Sequence, residues 1–191
     1  MSSGADSDLT AKVLIAMPGM GDPRFAQAVV FICAHSDDGA MGLIVNKPAT
    51  ELSFTDLLEQ LEITPGDGAG DIRVHFGGPV EHGRGFVLHS GEYRAGSDST
   101  LGINDDFALT ATLDILEDLA QGSGPARSLM ALGYAGWAAG QLESEIAGNG
   151  WLTAEARPGI VFGDDNATKW RRALETIGVD PVMLSATGGR A

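Results

Sequence analysis

AVVFICAHSDDGAMGLIVNKP, residues 28 to 48, is two apolar runs folded about one polar turn. Ala28 to His35 and Ala40 to Asn46 read as strands, and Asp38-Gly39 is a pair suited to the positive φ angles of a tight hairpin. Side chains alternate along a strand, so Val29, Phe31, Cys33 and His35 share one face and Val30, Ile32 and Ala34 the other. Both faces are apolar, which predicts a hairpin covered on both sides. A loop of two residues (Asp38, Gly39) or four (Ser36 to Gly39) groups Gly42, Ile44 and Asn46 with Phe31, and a loop of three reverses that grouping. At the far end Pro48 keeps Lys47 extended, so the side chains of Asn46 and Lys47 are expected to leave the strand tip in opposite directions.

Around this hairpin the chain is punctuated by glycine and proline. Val13 to Met17 reads as a strand stopped by Pro18. Ser53 caps a helix from Phe54 to about Leu61, with Asp56 near its positive end. Asp67 to Asp71 is a surface loop, and strands follow at Ile72 to Phe76, Gly85 to His89 and Thr100 to Ile103. Asn104 is then positioned to cap a helix carrying Leu109, Leu113, Leu116 and Ala120. Ser128 to Tyr134 reads as a buried strand, Gly136 opens a helix to about Ala147, and a last helix near Asn166 to Ile177 buries Trp170, Leu174 and Ile177. Strands cluster early and helices late, which favours an α+β class. The expected organisation is one domain over residues 13–185 between flexible ends, 1–12 and 186–191.

A chain of 191 residues can bury a core without a disulfide or a metal. Lys and Arg number 12 against 26 Asp and Glu, for a net charge of −14, so a nucleic-acid backbone is repelled at long range. The densest basic cluster, Lys169, Arg171 and Arg172, reads as the solvated side of a helix. No apolar run reaches the length of a membrane span, and MSSGADSDLTAK lacks the cationic start and apolar core of a leader. A soluble cytoplasmic protein is expected. Cys33, the one cysteine, forbids an internal disulfide.

Three constellations invite chemistry. Cys33 and His35 make a possible redox or polar pair, but no paired metal motif joins them to His75, His82 or His89, and neither a metal nor a cofactor is expected. GGPVEHGRG, residues 77–85, spaces glycines as a phosphate loop does, yet Arg84-Gly85 stands where Lys-Ser/Thr belongs. What remains is a backbone concavity beside Arg84, or simply a tight strand connection. LGYAGWAAGQLESEI, residues 132–146, passes from strand through glycines to helix without the dinucleotide fingerprint; close helix packing is the favoured reading and ligand binding at the helix start the alternative. No nucleophile–base–acid set can be assembled.

Together LIAMPGMGDPRF, VVFICAHSDDGAMGLIVNKP, FGGPVEHGRGFVLHSG and LGYAGWAAGQLESEIAGNGWL resemble the bacterial AlgH/YqgE family, from about Leu14 to Asp180. The resemblance implies coiled, partly bifurcated β-sheets flanked by helices, and a label of transcriptional regulator that brings no reaction with it. Matching polar positions are Cys33, His35, Asn46, Lys47, Arg84, His89, Gln141, Glu143 and Asn149, to which the loop glycines Gly77 and Gly78 are added as candidates. The expectation is a non-enzymatic regulatory or interaction module that binds a protein partner or a small anionic ligand. The rivals are an enzyme for a small anionic substrate, with Lys47 or Arg84 holding charge and His35 or His89 moving a proton, and a direct DNA-binding regulator.

Overall fold

The computed structural model describes residues 8–19, 22–66, 72–93 and 100–188, with side chains through Leu184. The loop expected at Asp67 to Asp71 lies outside the described residues, as do 1–7 and 189–191. Nine strands form one sheet: β1 Lys12–Ala16, β2 Val29–Ser36, β3 Gly39–Ile44, β4 Val74–Phe76, β5 Val80–Ser90, β6 Thr100–Gly102, β7 Phe107–Thr110, β8 Ser128–Ala138 and β9 Trp151–Glu155. Among the described residues six α-helices accompany them, α1 Phe54–Gln60, α2 Leu113–Ala120, α3 Gln141–Ala147, α4 Pro158–Val161, α5 Asn166–Thr176 and α6 Pro181–Gly188, with a 3-10 turn at Pro23–Phe25. The sheet is curled and its order is β6-β7-β5-β8-β3-β2-β1-β9. All pairs along that order are antiparallel, and β4 runs parallel to β8 beside it.

β8 is where the sheet divides. Its first half pairs with β5 on one side and β4 on the other, and its last residues, Ala135 to Ala138, pair with β3. β4 and the glycines after it fill the fork: Ile44 donates to the Gly77 carbonyl and Gly77 donates to the Leu132 carbonyl. At Gly133 the strand turns through φ 76° and its backbone presses on that of Gly78. A Cβ on Gly77 would lie 2.3 Å from the Gly133 oxygen, and one on Gly78 would lie 2.1 Å from the Tyr134 carbonyl carbon. These glycines therefore permit two backbones to touch.

The half of the hairpin away from its turn, Val29 to Cys33 and Gly42 to Ile44, is buried on both faces as its composition predicts, whereas Ala34 to Met41 around the turn are exposed or half-buried. On one side Val29, Phe31, Cys33, Leu43 and Val45 pack with Val161, Trp170, Ala173 and Leu174 of α4 and α5. On the other, Val30, Ile32 and Ile44 pack with Trp137, Leu142 and Trp151. A third cluster joins α1 and α2 to the outer face of β5 and β8 through Leu58, Ile115, Leu116, Val87 and Met130. α1 is closed by a capping box in which Ser53 Oγ accepts from the Asp56 N–H and the Asp56 carboxylate from the Ser53 N–H.

The hairpin's faces group as a three-residue loop would place them, Leu43 and Val45 with Phe31 and Ile44 with Val30, although the loop is not of that length. Its loop has two residues, Asp37 and Asp38, and Ser36 pairs with Gly39. A bulge at Cys33 shifts the register, so that Phe31 faces Leu43 instead of Ile44, and His35 passes to the face of Ala40, opposite Cys33. A period-2 reading cannot anticipate an inserted residue.

Two helix starts also move. Asn104 accepts from the N–H groups of Asp106 and Phe107 and so forms a turn into β7, whose four residues are all buried; α2 begins only at Leu113. A short fully buried strand is as apolar as a helix segment, which is why the spacing misleads there. Gly136 stays inside β8, and α3 begins after Gly140 in the left-handed conformation, φ 75°. β9, α4 and α6 have no counterpart among the expected elements, and Ile177 is exposed.

Candidate functional site

Most sequence-chosen polar residues have definite partners inside the fold. Asn46 is buried at the foot of β2, where its Oδ1 accepts from the Val29 N–H at 2.9 Å and its Nδ2 donates to the Gln27 carbonyl at 2.9 Å. Lys47 Nζ donates to the neighbouring Ala26 carbonyl, so both side chains reach one turn and do not diverge as expected. The chain is bent at Val45 and Asn46, which cancels the alternation of an extended strand. Lys47 lines a cavity with Met17, Pro18, Ala26 and Gln27 that shares no lining residue with the cavity beside Arg84.

The histidines are equally engaged. His35 Nδ1 accepts from the Leu9 N–H at 3.0 Å, which leaves Nε2–H to donate to Glu143 Oε2 at 3.0 Å. Glu143 is held below the usual carboxylate range by a backbone hydrogen bond and by His35. His89 is fully buried: Nδ1 donates to the Ser90 carbonyl at 2.9 Å, and Nε2 meets Thr110 Oγ1 at 2.8 Å. Cys33 sits in the bulge with its thiol pushed up to about 12 by burial, so at neutral pH it holds its proton and the Cys33–His35 pair is divided between two faces. Gln141 Oε1 accepts from the Ala138 N–H and its Nε2 donates to Glu145. Glu145 Oε1 in turn accepts from both Trp137 Nε1 and Trp151 Nε1, a tie the sequence reading missed.

A buried trio was also missed. Lys169 is 1% exposed, and Nζ donates to the carbonyls of Val45 at 2.8 Å and Val161 at 2.7 Å; its pKa is pushed down to about 8, chiefly by burial. The basic cluster is therefore split, with Arg171 and Arg172 outside and Lys169 within. His75, buried nearby, has its pKa lowered by burial and then by the Lys169 charge. Its ring nitrogens face the Met130 carbonyl and Asn166 Oδ1, each at 3.3 Å, and Asn166 Nδ2 has no hydrogen-bond partner. A neutral ring donates once, to Met130; a half-turn of the Asn166 amide then satisfies both the other ring nitrogen and the orphaned amide group.

Arg84 is different. β5 pairs with β8 at Val80, swells out through Glu81 to Arg84, and resumes pairing at Gly85. Glu81 takes a positive φ of 48° there. The Arg84 guanidinium lies 5.1 Å from the centre of the Phe86 ring and 3.8 Å from Glu81, too far for a direct hydrogen bond. It lines a cavity of about 280 Å³ whose mostly apolar walls include Leu57 of α1, Leu61 just after it, Leu116 of α2, and Met130 and Leu132 of β8. The start of α2 opens into the same space through Thr112 and Leu113, and Thr112 makes no side-chain cap bond. One cation and the positive end of a helix thus overlook an apolar hollow. Asp114 in the first turn of α2 offsets part of that field.

A model of AlgH-like proteins matches residues 13–182. The chain belongs to the AlgH-like family. It is similar to a UPF0301 protein of Paracoccus denitrificans, 58% identical over 97% of this chain and 98% of that one, and to one of Ruegeria pomeroyi, 59% identical over 96% and 100%. Among solved structures it resembles the solution structure of AlgH from Pseudomonas aeruginosa, with a TM-score of 0.78, 41% identity and 94% of each chain covered. A Corynebacterium diphtheriae protein shares the AlgH-like fold at 19% identity and a TM-score of 0.76, over 93% of this chain and 91% of that one. Among the described residues no helix is long and apolar enough to cross a membrane, and no group of three or more acidic, histidine or cysteine side chains could hold a metal ion.

Proposed function

We propose that this AlgH-like chain is a non-enzymatic, regulatory binding module whose Arg84 cavity takes a small molecule with an anionic head and a compact apolar body. The observation that carries the reading is the one guanidinium lining a hollow of about 280 Å³ whose other walls are mostly apolar, with the hydroxyls of Thr110 and Thr112. The hollow favours burial of a hydrocarbon group at about 25 cal/mol per Å² removed from water. The arginine and the open end of α2 orient the head. Asn46 and Lys47 hold the turn at Ala26 and Gln27, so they support the fold and Arg84 supports recognition.

The non-enzymatic reading rests on the partners of the reactive groups. His35, His75 and His89 are tied at both ring nitrogens, and the Cys33 thiol is buried. Neither Lys47 nor His35 lines the Arg84 cavity, so the groups an enzyme would need do not meet there. A cytoplasmic setting belongs to the same proposal, since a lone free thiol suits a reducing compartment.

Calorimetric titration with octanoate and with 1-octanol, which differ in the head group, tests this. Octanoate is expected to bind the wild type and to lose about tenfold in affinity with Arg84→Gln, at unchanged melting temperature. Equal octanoate affinity in wild type and variant would remove the arginine from the site.

A further inference from the structure

A larger cavity, of about 450 Å³, lies between the segment Gly122 to Ser128 and the turn Gly159 to Asp164, and shares no lining residue with the Arg84 hollow. Ile72, Leu119 and Phe162 give it an apolar wall, and Arg127 and Asp164 give it charge. An adjoining cavity shares Gly159 and is lined by Arg157, Arg172 and Glu175. Arg172 reaches back toward the first: its Nη1 lies 3.5 Å from where a Cβ on Gly163 would stand. Lys169 lies behind this wall, within the field of Arg73, Asp164 and Arg172.

The pairing of these cations is the informative feature. Lys12 pairs with Glu155, Arg24 with Asp22 and Arg84 with Glu81. Among the described residues, Arg127, Arg157 and Arg172 have no carboxylate within 4.0 Å, although the chain holds 26 acidic residues against 12 basic ones. Among the same residues Lys47, Arg73, Lys169 and Arg171 also lack a carboxylate within 4.0 Å, so what sets this groove apart is that several such guanidiniums gather on it. In so acidic a molecule, unpaired guanidiniums gathered on one groove mark a place where a mobile anion completes the charge balance. Arginine forks match phosphate oxygens in pairs, and the apolar wall suits a flat ring.

We infer that this groove is a second binding site, for a nucleoside phosphate: its phosphate meets Arg127 and Arg172 while its base and sugar lie along Ile72, Leu119 and Phe162. Asp164 sits at the phosphate end and sets a limit on affinity. The site does not depend on the Arg84 cavity.

The test is calorimetry on the full chain with ADP, pyrophosphate and adenosine as separate probes. ADP is expected to bind more tightly than either fragment. Arg127→Ala and Arg172→Ala should each weaken ADP by about fivefold or more, Asp164→Asn should tighten it, and Arg84→Gln should leave it unchanged. These are exposed side chains, and an unchanged melting curve certifies that each variant is folded. Absence of ADP binding at millimolar concentration overturns the proposal, as does an affinity indifferent to Arg127 and Arg172. Pyrophosphate binding as tightly as ADP would overturn the role of the apolar wall, and an equal loss in Arg84→Gln would move the site to the other cavity.

Discussion

Lys169 places an ammonium group in the interior, held by the carbonyls of Val45 and Val161 in place of water. Its folded pKa of about 8 is below the ordinary value of 10.5, so between these values the unfolded chain binds more protons than the folded one. Stability therefore rises with pH across that window, and the cost of the buried charge is fully present below about pH 8. Lys169→Met should abolish the rise. Denaturation in urea at pH 7.5 and 9.5 should show the wild type gaining about 2 kcal/mol over the variant between the two conditions. Lys169 was legible in part: Asn166, Lys169, Trp170, Ala173 and Leu174 recur at helical spacing and form the buried stripe of α5. The charges of Arg171 and Arg172 beside it draw the eye to the opposite, solvated reading, because residue type argues for the surface where position argues for the core.

At the scale of elements, β8 decides the architecture, and Gly133 decides β8. A side chain there would suffer twice, from the positive φ and from a Cβ only 2.4 Å from the Gly78 oxygen. Gly133→Ala should lower stability by roughly 3 kcal/mol and the melting temperature by about 10 °C. Gly83→Ala, where a Cβ would meet nothing within 4 Å, is the control and should shift it little; similar losses at both positions would remove the fork from the explanation. The strand cores of β1, β2, β3, β5 and β8 and the helices α1 and α5 could be read from the residues, since each has its own apolar pattern or cap. The bulge at Cys33, the strand β7 and the late start of α3 could not, because they depend on neighbours distant in the chain. The same holds for the candidate site: Arg84 was visible as a cation among glycines, whereas its apolar hollow is assembled from α1, α2, β5 and β8.

For the molecule as a whole, charge is the governing quantity. With a net −14 and Lys169 withdrawn from the surface, only Arg171 and Arg172 of the expected basic cluster face solvent. A duplex of DNA should show no salt-sensitive complex near physiological ionic strength in an electrophoretic or anisotropy assay; a steep fall of affinity with added salt would contradict this. A phosphate bound in the arginine groove would be a local exception, at short range, to a field that repels polyanions at a distance.

The strand order also dictates a history for each newly made copy. β3 leaves the ribosome early but gains its second neighbour only when β8 follows, and β1 waits longer still for β9. Through that interval, on the order of ten seconds at ordinary synthesis rates, a hydrophobic ribbon has bare edges capable of joining another nascent chain. Slower synthesis would lengthen that exposure, and a chaperone covering the emerging ribbon is expected to raise the yield of folded protein.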